Sequence, residues 1–130
     1  MALDHPDVVA RIAVLDINPT SDYYANADKD FGLKAFHWFF LPQAFDLPER
    51  LIGADPAFFL RWMIGRYMGD GEGLAPAAMD EYIRCNARPA NIHAMCEDYR
   101  AGAYHDDRND KLDLEAGRKI AAPLLTIWGG

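Results

Sequence analysis

The chain has 130 residues, 51% of them hydrophobic, which suits one globular domain or part of a larger one. Its net charge of −7 argues against a nucleic-acid-binding or anionic-membrane surface. No apolar run approaches the roughly 20 residues of a membrane span, and the N-terminal residues lack the apolar segment of a signal peptide. We therefore expect a cytoplasmic protein with no nucleic-acid or membrane partner.

Two apolar segments, one near each end of the chain, have the pattern of buried strands. Residues 8–17 form a nearly continuous run rich in valine and isoleucine, which is typical of a strand buried on both faces of a parallel sheet. Residues 122–130, APLLTIWGG, show the same pattern and end in two glycines. We predict that both segments are strands of one parallel sheet.

The first half of the sequence between these strands predicts two helical regions. One begins near Thr20 and ends before Pro42, with a break expected at residues 26–28. The other has Asp55 as its N-cap and Pro56 at its first helical position, where the missing N–H of proline costs nothing. Apolar residues spaced four apart give this second helix a broad buried face.

The second half predicts two further helices and a loop. A helix begins at Pro76 and ends before Pro89, and the next one ends at Gly102. The acidic segment HDDRND, residues 105–110, lacks the glycine and the terminal glutamate of a calcium loop and is predicted to be a solvated loop. The segment GDGEG, residues 69–73, follows no strand and has no lysine, so it does not predict a phosphate-binding loop.

This order of elements predicts a helical insertion in a larger α/β protein. A single crossover between parallel strands needs only one helix, whereas about four separate these two strands. Two strands alone leave both sheet edges unpaired. We predict a core segment at residues 1–18, a helical cap at residues 19–105 and a return to the core at residues 106–130.

Asp16 is the first candidate site residue. It lies where the first strand ends, and open α/β sheets place their functional groups at the carboxyl ends of strands. A carboxylate there needs a partner, which the sequence does not identify. A turn-forming role before Pro19 is an equally good interpretation of the same position.

His37 and Trp38 are the second candidate, within the aromatic run KAFHWFFLPQ. Tryptophan offers only a donor, and histidine offers a donor in either tautomer, so the pair would suit an anion. The alternative is that Trp38 packs in the core while His37 bonds a backbone carbonyl. The residues alone leave both interpretations open, with core packing favoured.

Tyr99 lies on the apolar face of the last helix, where its hydroxyl needs a partner if it is buried. His93 and Glu97 are spaced four apart, but two ligands are too few for a metal site and a surface pair is the better interpretation. Cys85 and Cys96 are expected to be reduced thiols. We predict neither a metal nor a cofactor. The only serine is Ser21, so the sequence contains no serine nucleophile elbow.

Four motifs together resemble the haloacetate (fluoroacetate) dehalogenases of the α/β-hydrolase superfamily. They are HPDVVARIAVLDINP, FHWFFL, HAMCEDYRAGAY and PLLTIWGG, and they cover essentially the whole chain in the same order and at similar spacing. The resemblance implies a partial α/β-hydrolase fold, with two core strands flanking a helical cap. It also implies a small halogenated carboxylate as substrate, and a homodimer.

The resemblance assigns roles to the candidate residues. In that family an aspartate attacks the carbon that bears the halogen, halide leaves, and a histidine activates the water that hydrolyses the resulting ester. Asp16 matches the aspartate that orients this histidine, and His37, Trp38 and Tyr99 match the three donors of the halide pocket. The nucleophile, the arginines beside it and the base histidine have no counterpart in these residues, so we expect the chain alone to be inactive.

Two alternatives remain open at this point. Another cap-bearing α/β-hydrolase, such as an epoxide hydrolase, would use two cap tyrosines, for which Tyr67, Tyr82, Tyr99 and Tyr104 are available. The His-Trp pair argues against that assignment. The other alternative is a non-catalytic helical module that binds a partner through its aromatic faces.

Overall fold

The computed structural model describes residues 2–44, 46–68 and 73–129. The chain divides into two compact units. The strand unit comprises Met1–Asp30 and Gly102–Gly130, and the helical unit comprises Phe31–Ala101. Over the described residues no helix is long and apolar enough to cross a membrane.

The described residues form two strands and eight α-helices. The strands are β1 (Ile12–Leu15) and β2 (Leu124–Ile127). The helices are α1 (Thr20–Ala25), α2 (Lys29–Lys34), α3 (His37–Phe40), α4 (Leu47–Ala54), α5 (Pro56–Arg66), α6 (Pro76–Asn86), α7 (Pro89–Arg100) and α8 (Asp107–Glu115). A short 3-10 turn at Pro6–Val8 precedes β1, and a π-helical stretch at Ala101–Asp106 connects α7 to α8.

The two strands pair in parallel, as the sequence predicts, with Ile12 opposite Leu124 and Leu15 opposite Ile127. The predicted first strand is too long, because the 3-10 turn begins at Pro6 and only four residues then pair with β2. The prediction of burial on both faces is also wrong for this chain, since β1 alternates between intermediate and exposed residues and β2 is exposed throughout. Two strands have too little surface to cover each other.

The acidic segment that was predicted to be a loop is helical, and this prediction is wrong. His105 and Asp106 end the π-helical stretch, and Asp107 begins α8. Acidic residues in the first turn of a helix are stabilised by its dipole, and Lys111 pairs with Asp107 one turn later at 2.7 Å. The charges therefore mark a solvated helix rather than a solvated loop.

A glycine ends α8 in a form that only glycine adopts easily. Gly117 has φ +65°, and its N–H donates to the carbonyl of Leu114 at 3.0 Å. The next N–H, from Arg118, donates to the carbonyl of Asp113 at 2.9 Å. These two bonds form a Schellman motif, which satisfies the last carbonyls of the helix.

The helical unit contains all the buried side chains of the described chain. Its core cluster comprises Leu41, Ile52, Ile92 and Cys96, with Phe40, Phe59, Met95 and Tyr99 packed against it. Leu41 follows α3, Ile52 lies on α4, and the other two core residues lie on α7. This core therefore packs the segment around α3 against α4 and α7.

The boundaries within this unit confirm some predictions and correct others. Asp55 caps α5 by accepting a hydrogen bond from the N–H of Phe58 at 3.0 Å, and Pro56 is the first helical residue, as predicted. The predicted break at residues 26–28 is present, and a second break at residues 35–36 separates α2 from α3. Helix α5 ends at Arg66, before the end predicted at residues 69–73. Most of the GDGEG segment lies outside the described residues. Helix α4 was not predicted.

Candidate functional site

Asp16 lies at the end of β1, in the strand unit. Its backbone N–H donates to the carbonyl of Ile127 at 2.8 Å, and its Oδ1 accepts a hydrogen bond from the N–H of Gly129 at 2.9 Å. Its φ of +48° is in the left-handed region, which is uncommon for a residue other than glycine and is found at functional sites. The partner that the sequence could not identify is thus an amide that follows β2.

His37 is the one buried polar residue recorded among the described residues, with 5% of its surface exposed. It is the first residue of α3, between two aromatic neighbours in sequence. Burial lowers the pKa of its imidazole, and the positive charge of Arg66 lowers it further. His37 is therefore neutral near pH 7, with one ring nitrogen that donates and one that accepts.

Trp38 and Tyr99 complete an aromatic cluster around His37. The ring of Tyr99, on α7, lies 5.6 Å from the ring of His37 and 5.9 Å from that of Trp38, edge to face in both cases. The structure therefore brings together three of the four site residues that the sequence predicts. Asp16 belongs to the other unit.

Tyr67 is a fourth member of this cluster that the sequence did not single out. Its hydroxyl lies 3.4 Å from Nε2 of His37, and the two rings are perpendicular at 6.1 Å. Tyr67 was considered only as one of several cap tyrosines. No spacing rule links the end of α5 to the start of α3, so only the tertiary structure could reveal this contact.

The chemistry of the aromatic cluster favours an anionic group. Trp38 carries a donor and no acceptor, and Tyr99 carries a hydroxyl that can donate. A neutral histidine adds a third donor without adding a charge. Arg66 lies outside the ring cluster and donates to the carbonyls of Leu33 and Lys34 at 3.1 and 2.8 Å.

A second polar cluster lies elsewhere in the helical unit and includes His93 and Glu97. A ligand atom from each of these residues and from Glu49 lies within 4.8 Å of the others, so the structure adds a third residue to the pair seen in the sequence. However, the Arg100 guanidinium lies 2.7 Å from Glu49 and 2.6 Å from Glu97. Because this cation already pairs with both carboxylates, the cluster is an ion-pair network rather than an evident metal centre.

The helical unit also contains a cavity of about 420 Å³. Its walls come from α5, α6 and α7 and are almost entirely apolar. Tyr67 and Tyr82 both line it, so Tyr67 borders this cavity as well as contacting His37. The cavity can accommodate a small apolar ligand.

Comparison with known proteins supports the resemblance. No family model matches the chain. The chain is 41% identical, over 130 residues, to a fluoroacetate dehalogenase from a Burkholderia species. This alignment covers 99% of this chain and 42% of that protein. It is 28% identical, over 135 residues, to a soluble epoxide hydrolase from Corynebacterium. That alignment covers 99% of this chain and 45% of the Corynebacterium protein.

Solved structures give the fold directly. A candidate epoxide hydrolase from Pseudomonas aeruginosa superposes with a TM-score of 0.92 at 45% identity, over 98% of this chain and 43% of that one. A candidate α/β hydrolase from a Nostoc species gives a TM-score of 0.88 at 48% identity, again over 98% and 43% of the two chains. The chain thus spans less than half the length of these relatives, and its fold is part of an α/β-hydrolase fold.

Proposed function

We propose that this chain, a homologue of fluoroacetate dehalogenase with part of an α/β-hydrolase fold, provides the cap and the orienting aspartate of a haloacetate dehalogenase. The observation that carries the proposal is the contact of His37 and Trp38 with Tyr99. The ring centre of Tyr99 lies 5.6 Å from that of His37 and 5.9 Å from that of Trp38, and the family resemblance assigns all three side chains to a halide pocket. The 41% identity to the Burkholderia protein supports the same assignment.

The proposed reaction begins outside this chain. A carboxylate oxygen of an aspartate in the remainder of the enzyme attacks the carbon that bears the halogen, and the carbon–halogen bond breaks as the ester bond forms. The halide leaves with the bonding electron pair. Water, deprotonated by a histidine, then hydrolyses the ester and releases the hydroxy acid.

The aromatic cluster acts on the leaving group. Fluoride is a poor leaving group because its negative charge is concentrated on a small atom. Donors from His37, Trp38 and Tyr99 that are already in place stabilise this charge as it develops, and each such donor is worth roughly 2–4 kcal/mol in a dry site. A neutral His37 suits this role, because its one N–H can donate a hydrogen bond to the halide while the ring carries no net charge that would attract other anions.

Asp16 acts on the base. In the proposed enzyme its carboxylate accepts a hydrogen bond from the histidine that activates water, which fixes the tautomer of that histidine and stabilises its protonated form. The amide of Gly129 holds Oδ1 of Asp16 at 2.9 Å, so the carboxylate is oriented before any substrate binds. Pre-orientation of this kind lowers the reorganisation needed during the reaction.

The test uses the full-length protein that contains this chain. Fluoride release from fluoroacetate is measured with an ion-selective electrode for the wild type, Trp38→Phe and Phe39→Leu. We expect Trp38→Phe to reduce release by about a hundredfold, since one donor is lost while the ring remains. Phe39→Leu, which changes the next ring along the helix, is the matched control and should retain most activity. No fluoride release by the wild type would reject the proposal.

Epoxide hydrolysis is the second candidate, because Tyr67 and Tyr82 line the same cavity. Two tyrosine hydroxyls can polarise an epoxide oxygen, and the Corynebacterium relative is an epoxide hydrolase by name. Turnover of styrene oxide by the same full-length protein separates the two candidates. Epoxide turnover that depends on Tyr67 and Tyr82, without halide release, would favour the second one.

A further inference from the structure

Arg100 directly follows Tyr99 and contacts three different parts of the helical unit. Its Nη1 donates to Oε1 of Glu49 at 2.7 Å, and its Nη2 donates to Oε2 of the same carboxylate at 2.9 Å. Its Nε and Nη2 also donate to the backbone carbonyl of Gln43 at 3.2 and 2.7 Å. Glu97, one turn earlier on α7, accepts a further bond at 2.6 Å.

These bonds connect the elements that carry the aromatic cluster. Gln43 lies three residues after the end of α3, which begins with His37, and Glu49 lies on α4. Arg100 lies at the end of α7, next to Tyr99. One guanidinium therefore joins the helix that carries Tyr99 to the segment that follows His37 and Trp38.

The contact is largely shielded from water. The side chains of Arg100 and Glu49 are only 17% and 13% exposed, whereas the exposed pair of Arg61 and Asp80 in the same unit is 54% and 68% exposed. Arg100 keeps the pKa of the Glu49 carboxyl at about 2, so the pair is charged over the whole neutral range. A shielded, bidentate pair is worth more, and is more directional, than an exposed one.

The apolar core alone does not fix the donors. Leu41, Ile52 and Cys96 bring α3, α4 and α7 together, but contacts between apolar side chains tolerate small sliding and rotation. The planar guanidinium donates in fixed directions, here to the Glu49 carboxylate and the Gln43 carbonyl, and so restricts how these two groups can be placed. It therefore sets the register of α7 against the α3 segment at the level of Tyr99.

We infer that Arg100 is a positioning residue for the halide pocket, which holds Tyr99 at the distance from His37 and Trp38 that a leaving fluoride requires. The inference rests on the proposed function. It predicts different effects on the two halides. The rate of fluoride release depends strongly on all three donors being in place, whereas chloride is the better leaving group and depends on them less. Displacement of Tyr99 should therefore reduce fluoride release more than chloride release.

The experiment measures both halides with the full-length protein. Fluoride release from fluoroacetate and chloride release from chloroacetate are compared for the wild type, Arg100→Lys and Arg100→Ala. A displacement of about 1 Å can reduce a rate by about a hundredfold, and we expect a loss of this size for fluoride. The loss for chloride should be smaller. Lysine keeps the positive charge but lacks the planar set of donors that bonds to Glu49 and Gln43 together. Both variants should therefore lower the fluoride-to-chloride ratio.

Two further variants keep the test independent of folding. Arg61→Ala removes an exposed interhelical pair in the same unit, and it should leave the ratio unchanged. Glu49→Gln keeps the shape of the side chain and the bonds of Arg100 to Gln43, so it should fold even if the arginine variants do not. It should lower the ratio by less than Arg100→Lys.

The outcomes separate the inference from the proposed function. A wild type that releases neither halide rejects the proposed function and, with it, the inference. A wild type that releases both, with an unchanged fluoride-to-chloride ratio in Glu49→Gln and in every folded Arg100 variant, rejects the inference alone. A wild-type fluoride-to-chloride ratio in Arg100→Lys would also reject the inference, because the positive charge would then suffice without the planar guanidinium.

Discussion

The strand unit and the helical unit differ in how their apolar residues are used. In the helical unit, residues such as Ile52 and Cys96 are 1% and 0% exposed. In the strand unit, residues whose sequence pattern is equally apolar are open to solvent: Leu15 is 65% exposed and Leu125 is 56% exposed. An apolar pattern therefore predicts that a residue is suited to burial, but the residue is buried only if other parts of the protein pack against it. The Burkholderia relative is longer, since this chain spans 42% of it, and residues beyond the matched part could cover such a surface in that protein.

The largest expected effect tests this difference directly. Ile52→Ala should lower the free energy of unfolding by about 2–5 kcal/mol, because it opens a cavity in the core of the helical unit. Leu125→Ala should have little effect in the 130-residue chain and a much larger one in the full-length protein. Urea unfolding of both variants in both lengths measures this. An equal loss from Leu125→Ala in the two lengths would contradict the comparison.

A smaller loss of stability is expected from a substitution at the end of α8, in the strand unit. Gly117→Ala places a side chain in the left-handed region and should cost about 1–2 kcal/mol. Gly53→Ala, on α4, is the matched control, since a methyl group there meets no atom within 4 Å and has no positive φ to oppose it. Thermal unfolding of the two variants should therefore shift in opposite directions, with Gly117→Ala the less stable.

The cap of α5 should contribute about 1 kcal/mol. Asp55→Ala removes the acceptor of the Phe58 N–H and should destabilise the helical unit by about that amount. Asp55→Asn keeps an acceptor oxygen and should recover most of the loss. Hydrogen exchange at the first amides of α5 would localise the effect, and unchanged exchange there in Asp55→Ala would contradict it.

Acid should weaken the helical unit through Glu49. The folded pKa of this carboxyl is about 2, below its ordinary value of 4.5, because Arg100 stabilises the ionised form. The stabilisation is therefore complete above about pH 4.5 and is lost as the pH falls towards 2. Wild type and Glu49→Gln should converge in stability across this window. A difference that stays constant from pH 5 to pH 2 would refute the assignment.

The sequence predicts what is local and misses what is distant. Asp55 with Pro56, and Pro76, mark helix starts because capping and proline geometry act over a few residues. Helix α4 was not predicted, although Asp46 and Pro48 are residues typical of a helix start; in the structure Asp46 makes no side-chain capping bond. The side-chain chemistry marks His37, Trp38 and Tyr99 as candidates, whereas their proposed roles come only from the resemblance of whole motifs. Their contact, and the bonds of Arg100 to Glu49, depend on packing between helices, which no local pattern specifies.

The hydrogen bond from Gly129 to Asp16 has a consequence for the timing of synthesis. It spans 113 residues, and at ordinary ribosomal rates of about 5–20 residues per second the donor leaves the ribosome roughly ten seconds after the acceptor. The helical unit, whose core lies within Phe31–Ala101, is complete in sequence before that bond can form. Asp16 thus gains this hydrogen bond only after the helical unit has emerged, so the aromatic cluster of His37, Trp38 and Tyr99 can form before the Asp16 carboxylate is held in place.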